Sequence, residues 1–298
     1  MKAVWSFWSK PYRSQLGSPW LTERHHWLSW VLSVETARKH YQHTTLITDD
    51  EGAHILVDHI GLQFSSVSQD LQILEDENPC WWALGKLHAY HAQQGPFMHI
   101  DSDVYLWQRL PSFVEQAPAF AQSPESAEFC YQSERATQIV RDSGGWIPEP
   151  WQWYITSGME QLASCCGILG GTNAEMLREY AEFAIRMITE PVNRSAWARL
   201  NDECNFMIDV EQYLLNACVE YRRRYGDASV YLQYLFNSIN GPYQAENAAA
   251  LGYTHLLSVA KRDHDTVKRL EEVVRRDYPV LYQNCVAYAE SVEQPLRV

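Results

Sequence analysis

The residues best suited to chemistry are two aspartates one position apart, in His99-Ile100-Asp101-Ser102-Asp103-Val104. The apolar residues Phe97, Met98 and Ile100 lead into them, so a buried strand is expected with both carboxylates at its carboxyl end. Paired carboxylates supply hard oxygen ligands that suit Mg2+ or Mn2+, ions that keep positions open for substrate phosphates. A cation held there would stabilise the charge that builds on a departing diphosphate. Asp-x-Asp turns also occur without any ion, so the surrounding elements have to decide.

Those elements alternate. Ala3–Trp8 reads as a strand, Thr22–Tyr41 as a helix, and Thr44–Thr48 as a β-branched strand ending on Asp49-Asp50. A helix through Ile60 and a strand at Phe64–Val67 follow. Pro79 then opens a helix to about Gln94, and Pro96–Ile100 is the strand that closes on Asp101. Strands separated by helices predict a mostly parallel sheet with helices on both faces, whose ligands sit at the strands' carboxyl ends. Further on, Ala119–Gln122 and Gly167–Leu169 read as strands, the second turning through Gly170-Gly171. A helix over Asn173–Glu190 should bury Leu177, Ala181, Ala184 and Ile188 and stop at Pro191. Another, from about Asp202 to Arg223, places Asp209, Gln212 and Asn216 on one polar face that is either a cleft lining or exposed. Asp202-Glu203 is a candidate base or acceptor contact at its start, or simply favourable charge at a helix N-terminus. Val230–Leu235 reads as a strand and the last thirty or so residues as helix. With no repeat or linker, one domain is the simplest organisation.

The strand closing on Asp101-Ser102-Asp103 after about three strand–helix units resembles the GT-A glycosyltransferase superfamily. Three later segments resemble the glycogenin-like family and its relatives: Cys166-Gly167-Ile168-Leu169-Gly170-Gly171, Glu211-Gln212-Tyr213-Leu214-Leu215-Asn216, and His255 with Lys261 six residues on. The chain also looks like members of a bacterial family of predicted transferases. The resemblance implies a single-domain GT-A-type fold over 1–298, with a nucleotide-binding half (1–110) and an acceptor-binding half with C-terminal helices (111–298). It implies a nucleotide-sugar donor, with UDP-sugar the expected class, and transfer with retention to a glycan, peptide or small molecule.

By that resemblance Asp101, Asp103 and His255 would hold Mn2+ or Mg2+, while Lys261 and Ser102 would meet the donor. Imidazole is an acceptable Mn2+ ligand, and a lysine neutralises phosphate as a point cation. Glu211 and Gln212 would take catalytic positions. Gly167, Gly170, Gly171 and Asn216 would face the sugar or acceptor. Glu211 and Tyr213 stand where the family pattern has aspartates, which changes the reach of any carboxylate there. Asp49 would receive a base N–H. Ser6 and Trp8 could touch the nucleoside, though first-strand packing is the plainer role for Trp8. Lys86 could reach a phosphate, with snorkelling from the helix surface as the alternative.

The 298 residues are 46% hydrophobic and 20% charged, enough for a sizeable core. A formal net charge of -13 argues against duplex nucleic acid or anionic membranes, which need a basic surface. No apolar run is long enough to span a bilayer, and a cytoplasmic location is the expectation. Seven cysteines without CxxC spacing read as buried reduced thiols. Asn193-Arg194-Ser195 matches a glycosylation sequon. His25-His26 and the pair His88 and His91 read as surface residues, and each of the twelve tryptophans reads first as packing. Two other functions compete: a non-catalytic sugar- or peptide-binding descendant of the fold, and a phosphatase of the haloacid-dehalogenase type. The second is disfavoured because Tyr105 stands where that type has Thr or Val.

Overall fold

A computed structural model describes residues 1–14, 20–127, 133–199 and 203–293 of the chain. Among them, seven strands form one mixed sheet in the order β3-β2-β1-β4-β7-β6-β8. The strands are β1 (Lys2–Phe7), β2 (Thr44–Thr48), β3 (Ser66–Ser68), β4 (Phe97–Ile100), β6 (Ala119–Ser126), β7 (Leu162–Gly171) and β8 (Leu232–Tyr234). β3, β2, β1 and β4 run parallel. β7 lies antiparallel between β4 and β6, and β8 pairs parallel with β6. This is the mostly parallel, helix-flanked α/β sheet that the alternating pattern predicts.

The strands are apolar on both faces because both faces are covered. Val4, Ile47, Phe97, Ala121 and Leu169 enter one core with the helices Leu84–His91 and Ala174–Thr189. Their neighbours Trp5, Leu46, Met98, Phe120 and Ile168 enter the other, with Glu23–Arg38 and the C-terminal helices His264–Asp277 and Pro279–Glu293. That one-residue alternation between two cores is the period of two that a strand imposes.

Several boundaries depart from expectation. The Pro79 helix is a 3-10 turn, Pro79–Trp81, followed by Leu84–His91. Pro191 ends one helix by opening the next, Pro191–Trp197, in the first turn where a missing N–H costs nothing. β7 does not turn at Gly170-Gly171 but runs straight through both, pairing Gly171 with Phe97 and Gly170 with Met98. Two three-residue strands have no signature in the sequence: β5 (Val104–Leu106) and β9 (Tyr253–His255) form a separate antiparallel pair. The helix expected from Asp202 is described from Glu203 to Ile208, so Asp202 and the Glu203 side chain lie outside the described residues. It widens into π-helix over Asp209–Tyr213 before continuing as Leu214–Tyr225.

Cysteines and histidines also differ. Cys165, Cys166, Cys218 and Cys285 are free and buried, but Cys80 is disulfide-bonded. A structural disulfide suits an oxidising compartment, so it lends nothing to a cytoplasmic location. No helix among the described residues is long and apolar enough to cross a membrane. Asn193 of the sequon is buried, and its amide donates to the carbonyls of Trp146 (2.7 Å) and Met187 (2.8 Å), so it is spoken for structurally. His25 is buried rather than exposed.

Gly170 has a packing reason to be glycine. A Cβ there would lie 2.2 Å from the Phe97 carbonyl oxygen and 2.8 Å from Met98 Cα, both backbone atoms that cannot swing away. Gly170→Ala is expected to cost about 1–3 kcal/mol of stability through overpacking, read as a lower urea midpoint. An unchanged midpoint would mean that the β4–β7 approach is looser than described.

Candidate metal centre and cleft

β4 ends at Ile100, and the chain turns at once: the Val104 N–H donates to the Asp101 carbonyl at 3.0 Å. The turn is fastened from two sides. From β7, the Gly167 carbonyl accepts the Asp101 N–H at 2.9 Å. From the Glu23–Arg38 helix, Ser33 Oγ donates to the Asp101 carbonyl (3.0 Å) and Ser29 Oγ to the Ser102 carbonyl (2.7 Å). With its backbone fixed, the turn has little freedom in where it points Asp101 and Asp103.

β5 follows immediately and recruits β9. Val104 pairs with His255, and the Leu256 N–H donates to the Asp103 carbonyl at 2.9 Å. This short pairing carries His255 across about 150 residues of sequence to Asp103, with Nε2 3.3 Å from Oδ1. The other ring nitrogen, Nδ1, lies 2.7 Å from Gln122 Oε1, which also accepts the Tyr253 hydroxyl at 2.6 Å. An acceptor at Nδ1 favours a proton there and turns Nε2 toward the carboxylate. Gly167 makes room for the ring: a Cβ would lie 2.4 Å from His255 Cε1. One ligand atom each from Asp101, Asp103 and His255 falls within 4.8 Å of the others.

Both carboxylates also carry a lysine. Lys261 Nζ is 2.6 Å from Asp103 Oδ2. Lys86 Nζ lies 3.0 Å from Asp101 Oδ1 and 2.6 Å from Glu211, and donates to the Cys166 carbonyl at 3.2 Å. Lys86 is therefore not a snorkelling surface lysine; its side chain is only 13% exposed. Burial raises the Asp101 carboxyl to about 6, opposed by Lys86 and reinforced by Asp103. Burial works the same way on Asp103, but Lys261 and then His255 outweigh it and hold that carboxyl well below its ordinary range. Burial opposes charge on Lys86, yet Asp101 and Glu211 keep its ammonium firmly protonated. Burial, then Lys86, pushes His99 well below its usual range, so His99 is neutral where its Nε2 meets Ser6 Oγ at 2.9 Å.

The donor set fits a divalent cation. Asp103 Oδ1 is buried and has no hydrogen-bond partner among the described residues, a costly state unless something positive meets it. It lies 3.3 Å from His255 Nε2, and a cation between the two would be met by both. Two carboxylate oxygens and one imidazole nitrogen, with the remaining positions open to a cleft, suit Mn2+ or Mg2+.

That cleft, of about 590 Å³, is lined by Asp101, Ser102, Asp103, Lys86 and Lys261 at one end. Ser6, Trp8 and a run of further aromatic side chains line the rest. Sequence reasoning missed most of this wall. His26, read as a surface residue, lines the cleft with its ring stacked on Tyr12 at 5.3 Å, and burial with help from Lys261 pushes its imidazole down to about 3. Trp20 also lines it and lies under the Lys261 ammonium at 5.7 Å. His26 Nε2 and Trp30 Nε1 have no hydrogen-bond partner among the described residues. Nothing in the sequence pattern singles out Tyr12, His26, Trp30 or Gln122. A second recess of about 490 Å³ shares Trp8 and continues over Ser9, Lys10, Arg13 and Asp49.

Other expected site residues are placed differently. Asp49 is already committed: Oδ1 accepts the Gly52 N–H (2.7 Å) and Oδ2 accepts the Ser9 N–H (2.8 Å) and hydroxyl (2.7 Å). It clasps the chain after β1, and it also lines the second recess. Gly170 and Gly171 pair with Met98 and Phe97, near the start of β4 and roughly 10 Å from its Asp101 end at strand spacing. They serve strand packing, and only Gly167 of the three touches the site. Asn216 is tied to Ser164 Oγ and the Tyr234 hydroxyl. The face expected to carry Asp209, Gln212 and Asn216 is not exposed, since Asp209 and Asn216 are buried and Gln212 half-buried. Glu211, fully buried within the π-turn, turns to Lys86 and the Tyr90 hydroxyl.

The fold and site thus define a mixed α/β protein with an Asp–Asp–His cluster at the carboxyl end of a parallel strand. The chain belongs to a family of unknown function (DUF6734), whose model matches residues 1–288. No curated protein matches it significantly. Among matching solved structures is the galactosyltransferase LgtC, crystallised with donor and acceptor sugar analogues, at 11% identity and a TM-score of 0.41 over 100% of this chain and 98% of that one. A likeness that distant brings neither an activity nor a residue role to this chain.

Lys86 neutralises the fully buried Glu211 and the half-buried Asp101 at once. Lys86→Met should destabilise the protein by about 3–5 kcal/mol, the usual cost of leaving a buried partner charge uncompensated. Adding Glu211→Gln should recover part of that loss in urea denaturation. A Lys86→Met protein as stable as the wild type would contradict the electrostatic account.

Proposed function

We propose that the protein is a metal-dependent transferase that moves a sugar from a nucleotide-sugar donor, of the UDP-sugar class, to an acceptor. The observation that carries this reading is the unpartnered Asp103 Oδ1, set against His255 Nε2 and beside Asp101 at the mouth of an aromatic cleft. Asp101, Asp103 and His255 would hold Mn2+ or Mg2+, which when bound supplies a Lewis acid to the donor diphosphate.

The chain's own residues do the rest. Lys261 exchanges its contact with Asp103 for a phosphate oxygen and keeps the leaving group's charge compensated. Trp20 beneath it keeps the ammonium at the cleft edge. The aromatic wall receives the nucleoside and excludes water from it. Ser6, held by His99, and Ser102 flank the same space. Lys86 fixes Asp101 and Glu211 relative to each other; a catalytic part for Glu211 and Gln212 rests on the sequence motif alone, since Glu211 is fully buried against Lys86 and Tyr90. The glycogenin-like reading and retention of configuration rest on the sequence motifs alone.

A second reading has an observation of its own. Both aspartates already hold ammonium groups, a stable arrangement for a protein that binds a sugar nucleotide without turning it over. The two readings separate in one experiment. Purified protein is mixed with a panel of nucleotide sugars, with and without Mn2+, and followed by thermal shift and by release of nucleoside diphosphate. The transferase reading predicts Mn2+-dependent stabilisation by one nucleotide class and diphosphate release that Asp103→Asn abolishes while its unliganded melting stays cooperative. Stabilisation without release supports the binding reading, and release undiminished in Asp103→Asn removes the metal assignment.

A further inference from the structure

A second cluster of ligating side chains lies outside the cleft. After its Asp49 cap, the short helix Asp50–Ala53 widens into a π-helix over His54–His59. The Ile60 N–H reaches back to the Ile55 carbonyl at 2.9 Å, the five-residue step of that geometry. The register matters for the side chains. An α-helix turns residues five apart to nearly opposite faces, about 140° around, whereas an i→i+5 helix brings them over one another. His54 and His59 are such a pair, and their Nε2 atoms lie 3.0 Å apart. Behind them, Asp58 Oδ2 lies 2.9 Å from His54 Nδ1. The His59 ring is backed by Tyr288 of the last helix, centroids 5.2 Å apart.

We propose that His54 Nε2 and His59 Nε2 ligate a divalent transition-metal ion of the Cu2+ or Ni2+ class, with Asp58 orienting His54 from behind. The chemistry is that of an imidazole whose far nitrogen donates to a carboxylate. This fixes the tautomer, leaves the Nε2 lone pair outward and makes it more basic. Two neutral imidazoles aimed at each other give one N–H···N bond at most. In water that is small recompense for ordering two exposed side chains. An ion between them takes both lone pairs. The spacing also selects the ion. With metal–nitrogen bonds of about 2.0–2.1 Å, a 3.0 Å separation subtends about 95° at the metal. That is the cis angle of tetragonal or octahedral sites, whereas tetrahedral Zn2+ would want the nitrogens about 3.3 Å apart. The remaining positions face solvent, since the His54 and Asp58 side chains are 61% and 65% exposed. This site is independent of the cleft and of the transferase reading.

The test uses the full chain carrying Asp103→Asn, which disables the acidic cluster, titrated with Cu2+ and followed by electron paramagnetic resonance and calorimetry. One equivalent with a two-nitrogen signature is expected. His54→Ala or His59→Ala should remove that signature and weaken this step at least tenfold, and Asp58→Asn should weaken it about tenfold. The substituted rings are exposed, and melting curves of the variants report that folding is intact. A spectrum and affinity unchanged in both histidine variants, or no two-nitrogen species in the parent protein, would overturn the proposal.

Discussion

Two carboxylates a few ångström apart at the end of a buried strand repel each other and are poorly solvated, so positive charge must accompany them. The rest of the site follows from meeting that need. Lys86 comes from the helix before β4 and Lys261 from the segment after β9, one to each aspartate. His255 arrives through the β5–β9 pairing and brings an imidazole nitrogen to Asp103. The compensation is incomplete by one atom, Asp103 Oδ1, and that atom gives the arrangement its chemical direction. A dication would complete it, and an anionic ligand would then draw Lys261 outward.

The same economy runs through the supporting structure. Gly167 gives its missing Cβ to the His255 ring, Gln122 holds that ring's Nδ1, and Ser29 and Ser33 hold the carbonyls of the aspartate turn. They come from β7, β6 and the Glu23–Arg38 helix, so the centre depends on several distant elements rather than on a local loop. The π-turn at Asp209–Tyr213 carries Glu211, whose carboxylate reaches Lys86.

Much of the fold was legible. β2 has the bounds its β-branched run predicts, β4 differs by one residue, and Leu177, Ala181, Ala184 and Ile188 are buried as their spacing requires. The sheet's carboxyl edge follows from the strand–helix alternation. What stayed hidden has physical reasons. β5 and β9 are three residues each, too short for periodicity to register, and their pairing is set by tertiary contact. The π-turns have no side-chain signature, and the burial of Asp209 and Asn216 was not legible. That Asp49 clasps Ser9 and Gly52 depends on where β1 ends, which its sequence neighbours do not mark. His26 was read as exposed because a histidine pair on a helix carries no mark of the Tyr12 ring folded over it.

The central claim is that one divalent cation completes the Asp101–Asp103–His255 cluster. Crystals soaked with Mn2+ and a nucleoside diphosphate, measured at a wavelength where manganese scatters anomalously, test it directly. The account predicts a single strong anomalous peak within bonding distance of Asp101, Asp103 and His255 Nε2, with Lys261 moved from Asp103 to a phosphate oxygen. No peak there, with both lysines still on their aspartates and the nucleotide bound, would contradict it.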